Sequence, residues 1–471
     1  VTLTGQGGRI FLQFLGVVIL ARLLSPRDYG LIAIVVVIIG VGEIFRDFGL
    51  SSAAVRSPEL TKEQSSNLFW INAGIGLVLG AALFAVAGPL AAASGQPKVY
   101  AITHALSTVL VLNGLTTQFR ALLLRGLRFR WLASTDVLAS AVALGAAIVT
   151  ALLGWGYWAL VTQQIVQALM SLAGAILGTR WIPGRLRGDV SVRSFLHFGA
   201  NLVLTQLINY GTSNVDTAVV GFAHGATPLG LYNRAYQLVV SPLNQIQSPI
   251  TSVAIPILAK IQDDQARFSA YVVRGQLALG YPITLGLGVV VAAAQPITEL
   301  LLGAQWDAAV PLLQLFAIAG IARTLASVGY WVYVVRGLSG ALFRYTLVTG
   351  SIRVVCVLAG SHWGVVGVAT GMAIAPWVAW PISLLWLSRA TTIPTRQLYA
   401  GALRIVSVGL LTVGAASVVM LLLPTLPALV SIAVTCLVFA GVVAILYAVP
   451  IIRGDVRALR EVVQLVRARK A

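Results

Sequence analysis

The sequence predicts an all-α integral membrane protein of about 14 transmembrane helices, arranged as two parallel-repeat six-helix lobes around a central cavity plus two extra C-terminal helices. Three observations carry that prediction. Hydrophobic residues make up 58% of the 471 positions and mean hydropathy is +0.91. Charged residues are 10%, against roughly 25% in soluble domains. Short motifs recur in the same order about 200 residues apart, as a tandem repeat of membrane bundles requires.

In chain order the spans read as 6–24, 30–50, 66–87, 99–122, 132–153, 157–178, 194–222, 228–257, 268–292, 308–335, 340–360, 363–388, 398–422 and 427–449. Each is long enough to cross about 30 Å of hydrocarbon as a helix. A helix satisfies its own backbone hydrogen bonds there. The runs are continuous and do not alternate at period two, which argues against a barrel. The first run lacks a small-residue cleavage site and the next begins within six residues, so it is read as a span and not as a signal peptide.

The loops fall into two sets. One holds Arg56 and Lys62; Arg125, Arg128 and Arg130; Arg180, Arg185, Arg187 and Arg193; Lys260 and Arg267; Arg336 and Arg344; Arg389 and Arg396; and a tail with Arg453, Arg457, Arg460, Arg467, Arg469 and Lys470. The other holds little beyond Arg27 and Lys98, its longest members being 88–98 and 293–307. The positive-inside bias makes the first set cytoplasmic and puts both termini inside, in a plasma (inner) membrane protein that crosses many times. The net charge of +18 is therefore read as topology, not as a nucleic-acid surface. Two cysteines inside apolar runs and four scattered histidines give no disulfide framework and no metal site.

The repeat shows in four pairs. Gly30-Leu31 matches Gly230-Leu231, Glu63-Gln64 matches Asp264-Gln265, Arg125-Gly126-Leu127 matches Arg336-Gly337-Leu338, and Trp155-Gly156 matches Trp363-Gly364. Spans 1–6 thus pair with 7–12. The expected organisation is an N-terminal lobe over 1–180, a C-terminal lobe over 181–390, two further spans over 391–450 and a basic tail over 451–471. In the tail Val456, Leu459, Val463 and Val466 stand at helical spacing between basic residues, which reads as an interfacial helix or a solvated cap.

Polar residues inside spans are costly, a central charge by about 2.5–3.5 kcal/mol, so they usually face water or the bundle interior. The eighth span carries Arg234, Gln237, Ser241, Asn244 or Gln245, Ser248 and Ser252 at steps of three and four, with Pro242, Pro249 and Pro256 seven apart. The seventh carries Asn201, Thr205, Asn209, Thr212 and Asp216. Arg9, Arg46, Arg234, Arg323 and Arg353 are candidate contacts of a cationic cavity for a polar, anionic substrate. Asn209, Gln237, Asn244 and Gln245 are candidate polar lining. Asp216, Glu43 and Asp47 are candidates for ion coupling or gating, with H+ or Na+ as the ion. The alternative for each is helix–helix glue, with Glu43, Arg46 and Asp47 as a local ion network. Gly76–Gly80 and Gly367–Gly371 are read as close-packing positions.

Ala21-Arg22-Leu23-Leu24, Ser25 to Leu31, Asp47-Phe48-Gly49-Leu50-Ser51, Leu124 to Phe129 and Pro228 to Tyr236 together resemble the polysaccharide transporter branch of the multidrug/oligosaccharidyl-lipid/polysaccharide flippase superfamily, Wzx-like exporters included. The likeness is strongest over 5–260. It implies two six-helix lobes with alternating access. It also implies a polyprenyl-pyrophosphate-linked oligosaccharide, a repeat unit of a cell-surface polysaccharide, moved from the inner to the outer leaflet. Polysaccharide biosynthesis enzymes would be its partners and no cofactor is implied.

Two other classes stay open from the residues. One is a membrane glycan polymerase, ligase or glycosyltransferase, which usually needs a sizeable outer loop with catalytic groups. Here those loops are short, and no nucleophile–base pair can be nominated. The other is a drug exporter of the same superfamily, whose cavity should be more acidic or apolar than this arginine excess allows. No GxxxxGK[ST] loop is present for nucleotide hydrolysis.

Overall fold

The computed structural model describes residues 2–47, 61–186, 193–423 and 426–457. Among them are fourteen helices of at least 19 residues: α1 (Thr2–Leu23), α2 (Pro26–Asp47), α3 (Lys62–Ser94), α4 (Lys98–Arg125), α5 (Phe129–Leu152), α6 (Trp158–Thr179), α7 (Arg193–Val219), α8 (Ala226–Lys260), α9 (Gln265–Ala292), α11 (Val310–Val335), α12 (Ser339–Ser361), α13 (Gly364–Ala390), α14 (Thr395–Leu422) and α15 (Ala428–Leu446). Short α10 (Ala294–Leu301) and a 3-10 turn (Ala304–Ala309) sit between α9 and α11. Over their described residues, eleven of the long helices are apolar enough to cross a membrane by composition; α1, α7 and α8 are not among them. Those three are the first helix of each sequence repeat and the helix with the polar stripe.

Local sequence sets the helix ends. Ser25 and Asp28 form a reciprocal cap at the start of α2: the Asp28 carboxylate accepts from Ser25 N at 3.0 Å, and Ser25 Oγ accepts from Asp28 N at 3.3 Å. Pro26 fills the first helical position, where no amide partner is needed. Thr61 and Gln64 make the same box before α3. Helix α3 then runs 33 residues through Pro89 and stops at Gly95, whose φ of 62° suits glycine. The loop expected over 88–98 is therefore mostly helix. One proline in a long helix removes a single backbone bond and need not end it. The stretch over 293–307 is likewise largely helical.

The chain forms two compact units, Val1–Asn233 and Arg234–Ala471. In the first, α3 lies on α4, α5 on α6, α1 on α5, and α2 on both α4 and α7. Gly76 and Gly114 meet backbone to backbone, and Gly80 faces Ser107 O, so the Gly76–Gly80 pair does serve close packing. An aromatic cluster of Phe69, Phe119 and Trp181 closes one end, with ring centroids 5.5–6.1 Å apart. The segment after α6 is strapped there: Trp70 Nε1 donates to Gly184 O at 2.8 Å, and Gly184 N to Ser66 Oγ at 3.0 Å.

In the second unit α9, α11 and α13 form the centre, with Phe268, Trp306, Phe316, Trp331 and Tyr333 fully buried. Gly367 and Gly371 bring α13 onto the α12 backbone at Gly360 and Cys356. The two extra helices pack on α9, with Ile405 against Gly280 and Phe439 against Gly288. The start of the basic tail is anchored to them. Buried Asp455 accepts from Arg404 Nε at 2.9 Å, from Arg404 Nη2 at 3.0 Å and from Tyr281 Oη at 2.8 Å. The tail from 458 onward lies outside the described residues.

Candidate functional site

In the first unit the parallel pair α2 and α4 carries the polar residues. Gly42 admits Leu110, and the next residue, Glu43, forms an ion pair with Arg46. Asn113 Nδ2 donates to Glu43 Oε1 at 2.6 Å. Arg46 Nη1 donates to Asn113 O at 3.0 Å and to Thr117 Oγ1 at 3.1 Å. The side chains are only 21% and 27% exposed. The guanidinium is thus neutralised locally, as the ion-network reading of this segment has it. Arg120 on α4 makes a second pair, bidentate to Asp136 on α5 at 2.6 and 3.1 Å.

Asp216 near the end of α7 is buried and accepts from Tyr232 Oη at 2.5 Å. A π-helical turn, Val220–His224, follows it. Asn209 is exposed one side of the same helix, and Thr212 bonds back to Ile208 O at 2.9 Å. The side chains of Arg9, Asp47, Asn201 and Thr205 lie outside the described residues.

In the second unit α8 and α11 run parallel in contact. Arg323 Nη2 donates to Asn244 Oδ1 at 3.1 Å, Gln247 Nε2 to Thr324 Oγ1 at 2.9 Å, and Trp331 Nε1 to Thr251 Oγ1 at 3.1 Å. Tyr236 meets Phe316 edge to face. The polar stripe lies beside this seam. Gln237, Asn244, Ser248 and Ser252 are exposed in the unit, and Ser241 and Gln245 are half-buried. Helix α8 stays helical past all three prolines.

Within the second unit Arg234 and Arg323 stand apart. Arg234 is 6% exposed and donates to Gln237 Oε1 at 2.8 Å. Arg323 meets α8 at Asn244, ten residues later, or about 15 Å along the axis. Arg353 is half-buried on α12 and has no hydrogen bond or ion pair with the described residues. Arg323 touches no carboxylate among the described residues; its bond is to a neutral amide. Gln247, Thr251 and Thr324, which tie α8 to α11, had no distinguishing mark in the sequence, because seam and stripe use the same residue types. No cluster of three or more histidine, cysteine, aspartate or glutamate residues able to hold a metal is found among the described residues.

A parallel helix pair with an uncompensated guanidinium and a run of amides and hydroxyls can bind an anion and a hydroxylated ligand. A family model described as polysaccharide biosynthesis protein matches residues 19–311, more than half of the chain. The chain belongs to that family. Two curated members illustrate the relationship. One is the lipopolysaccharide biosynthesis protein WzxC of Escherichia coli (strain K12), 29% identical over 318 residues, covering 66% of this chain and 63% of that protein. The other is the succinoglycan biosynthesis transport protein ExoT of Rhizobium meliloti (strain 1021), 29% identical over 315 residues with the same two coverages. The chain thus spans just under two thirds of the length of these relatives.

Among solved structures, the lipid II flippase MurJ in an inward closed conformation has a TM-score of 0.71 at 16% identity, over 95% of this chain and 98% of that one. That likeness gives the fold: an all-α membrane bundle. The resemblance read from the Ser25–Leu31 and Pro228–Tyr236 motifs is borne out by this membership.

Proposed function

We propose that this member of the polysaccharide biosynthesis protein family is a flippase. It carries a polyprenyl-pyrophosphate-linked oligosaccharide from the inner to the outer leaflet of the plasma membrane by alternating access, with both termini cytoplasmic. The charge inventory of the spans carries the reading. The described acids in span interiors, Glu43, Asp136 and Asp216, each have an internal partner. Arg323, midway along α11, has an amide and no carboxylate among the described residues. A lone cation at that depth costs about 2.5–3.5 kcal/mol. An anionic cargo offsets that cost while it passes.

The physical barrier to flipping is the transfer of a charged pyrophosphate and a hydrated glycan through hydrocarbon. Guanidinium forks suit phosphate oxygens. The α8 stripe supplies amides and hydroxyls for sugar hydroxyls, while a prenyl tail can stay in lipid. The names of WzxC and ExoT, which refer to lipopolysaccharide biosynthesis and succinoglycan transport, support the class of cargo. On this reading the chain makes and breaks no covalent bond, and the enzymes that build and consume the lipid-linked glycan are its partners.

The test is reconstitution of the full chain in vesicles holding a fluorescent polyprenyl-pyrophosphate glycan, with a membrane-impermeant quencher outside. Protein-dependent exposure of the inner-leaflet pool is expected. No exposure by correctly folded protein removes the proposal. Appearance of a lipid of new mass would instead support sugar transfer.

A further inference from the structure

We propose that the sparsely charged end of the first unit is a contact site for an acidic saccharide, with Arg27 and Lys98 meeting its carboxylate and Tyr157 the apolar face of its ring. The inference rests on the flippase reading above, which puts this end of the helices outside, and it adds a station for the glycan there.

The positive-inside bias keeps arginine and lysine out of external turns. In the sparse set of turns Arg27 and Lys98 are the basic residues, and the fold brings both to one place. Four helix ends far apart in sequence meet there. Arg27 lies in the first turn of α2, and its Nη2 donates to Gln96 Oε1, between α3 and α4, at 3.4 Å. Lys98 begins α4, and its Nζ stands 5.4 Å from the ring centre of Tyr157, between α5 and α6. Gly156, next to Tyr157, comes so near α2 that a Cβ on it would lie 3.3 Å from Asp28 Oδ1. Gly225, just before α8, closes the ring: a Cβ on it would lie 4.0 Å from Gln96 Nε2. Its neighbour His224 has a buried Nε2 without a hydrogen bond among the described residues.

The charge at this end is not cancelled. The Asp28 carboxylate is taken up in the cap of α2, where Oδ2 accepts from Ser25 N at 3.0 Å and from Ser25 Oγ at 2.6 Å. Neither Arg27 nor Lys98 meets a carboxylate among the described residues, and both side chains are exposed. Between the two cations stand a neutral amide and an aromatic pair. The rings of Tyr157 and Trp158 are half-buried, with centroids 5.5 Å apart and planes 31° apart.

A guanidinium and an ammonium on one carboxylate make charge-assisted hydrogen bonds, about twice as strong as neutral ones. The Gln96 amide both donates to and accepts from hydroxyls. A phenol ring gives an apolar face beside a polar edge, which matches a sugar ring with its C–H face and its hydroxyl rim. A phosphodiester headgroup would use the cations and leave the amide and the ring idle. A hexuronate-type sugar uses all of them. On this reading a repeat unit that has crossed meets its first external cations here.

The test measures binding of a fluorescent oligoglucuronate to the full chain in phosphatidylcholine nanodiscs, against an oligoglucose of equal length. The parent is expected to prefer the acidic probe about tenfold, or about 1.4 kcal/mol. Arg27→Gln with Lys98→Gln should abolish that preference and leave oligoglucose binding within about twofold, whereas Tyr157→Ala should weaken both probes about threefold. Arg130→Gln removes a cation from the opposite set of turns and should change neither. Elution of each variant as a monodisperse peak confirms folding. A parent without preference, or a double variant that keeps it, would overturn the site. Displacement of the acidic probe by an equal concentration of glycerol phosphate would assign the cations to lipid headgroups and overturn the saccharide. A parent that flips its lipid-linked glycan in the vesicle assay but ignores oligoglucuronate removes this inference and keeps the flippase reading. A parent that binds oligoglucuronate through Arg27 and Lys98 but does not flip removes the flippase reading and leaves a saccharide site.

Discussion

Gly30 and Gly230 touch through their backbones, each occupying the space that the other's helix leaves. A Cβ on Gly30 would fall on the carbonyl of Ala226, and one on Gly230 would fall on the carbonyl of Pro26. The relation is reciprocal: 26 meets 230 and 226 meets 30, while 26 and 226, like 30 and 230, are equivalent positions 200 residues apart. The first turns of α2 and α8 thus cross with backbone against backbone.

Alanine at either glycine should separate this crossing. The obstacle is backbone on both sides, so no side chain can rotate away. The cost belongs at the upper end of overpacking, about 3 kcal/mol. Thermal unfolding of the detergent-purified protein measures it. A Gly74→Ala control, where a Cβ meets nothing within 4 Å, should leave the midpoint unchanged.

The same crossing explains what the sequence made legible. Several of the matched motifs contact one another. Gly30 meets the Ala226–Gly230 turn, and Gly156 sits against the Asp28 side chain. Arg336 donates to Gln265 at 2.6 Å and stacks on Phe268, 4.3 Å from the ring centre. Helix number followed from length and hydropathy, and the α8 stripe from its period. Contacts between residues far apart in the chain were not legible. Asn113 bonds Glu43 across 70 positions, and Asp455 finds Arg404 across 51. Composition showed only a basic tail, so Asp455 passed as one acid among arginines. Pro89 also misled the reading, since nothing local says whether a helix will continue past a proline.

Trp70 holds the segment after α6 by one indole bond to Gly184 O, while its ring packs 5.2 Å from Phe69. Trp70→Phe keeps an aromatic ring and removes the donor. The expected loss is about 1 kcal/mol, the net worth of one hydrogen bond. Hydrogen exchange should rise over residues 181–186 and stay unchanged in α9.

Arg120 and Asp136 form a two-pronged pair between α4 and α5, with side chains 36% and 23% exposed. Partial exposure lowers its worth below that of a buried bridge. Either Arg120→Ala or Asp136→Ala alone should cost about 1–2 kcal/mol, because each strands a charge inside a span. The double change to Arg120→Met with Asp136→Leu should recover most of that. A double-mutant cycle on thermal midpoints reads the coupling, and additive losses would mean that the pair does no structural work.

Asp455 ties together three segments that the chain brings from far apart. Its carboxylate takes both prongs of Arg404 from α14 and the hydroxyl of Tyr281 from α9, at 2.8–3.0 Å, with the aspartate side chain 9% exposed. Helix α14 has no counterpart in the repeat, so this clamp is what fixes the root of the basic tail onto a helix that does. Asp455→Asn keeps the shape and removes the charge, leaving the Arg404 guanidinium, 32% exposed, without its counter-ion. Removing one partner of a buried pair costs about 3–5 kcal/mol, and the exposure of Arg404 puts this case at or below the lower figure. Tyr281→Phe removes only one neutral donor and should cost about 1 kcal/mol. The two variants should also differ locally. Trypsin should reach Arg453 and Arg457 much faster in Asp455→Asn than in the parent, and only slightly faster in Tyr281→Phe. Equal cleavage in all three would show that the tail root is held by apolar packing of the neighbouring helix, and that the carboxylate is incidental.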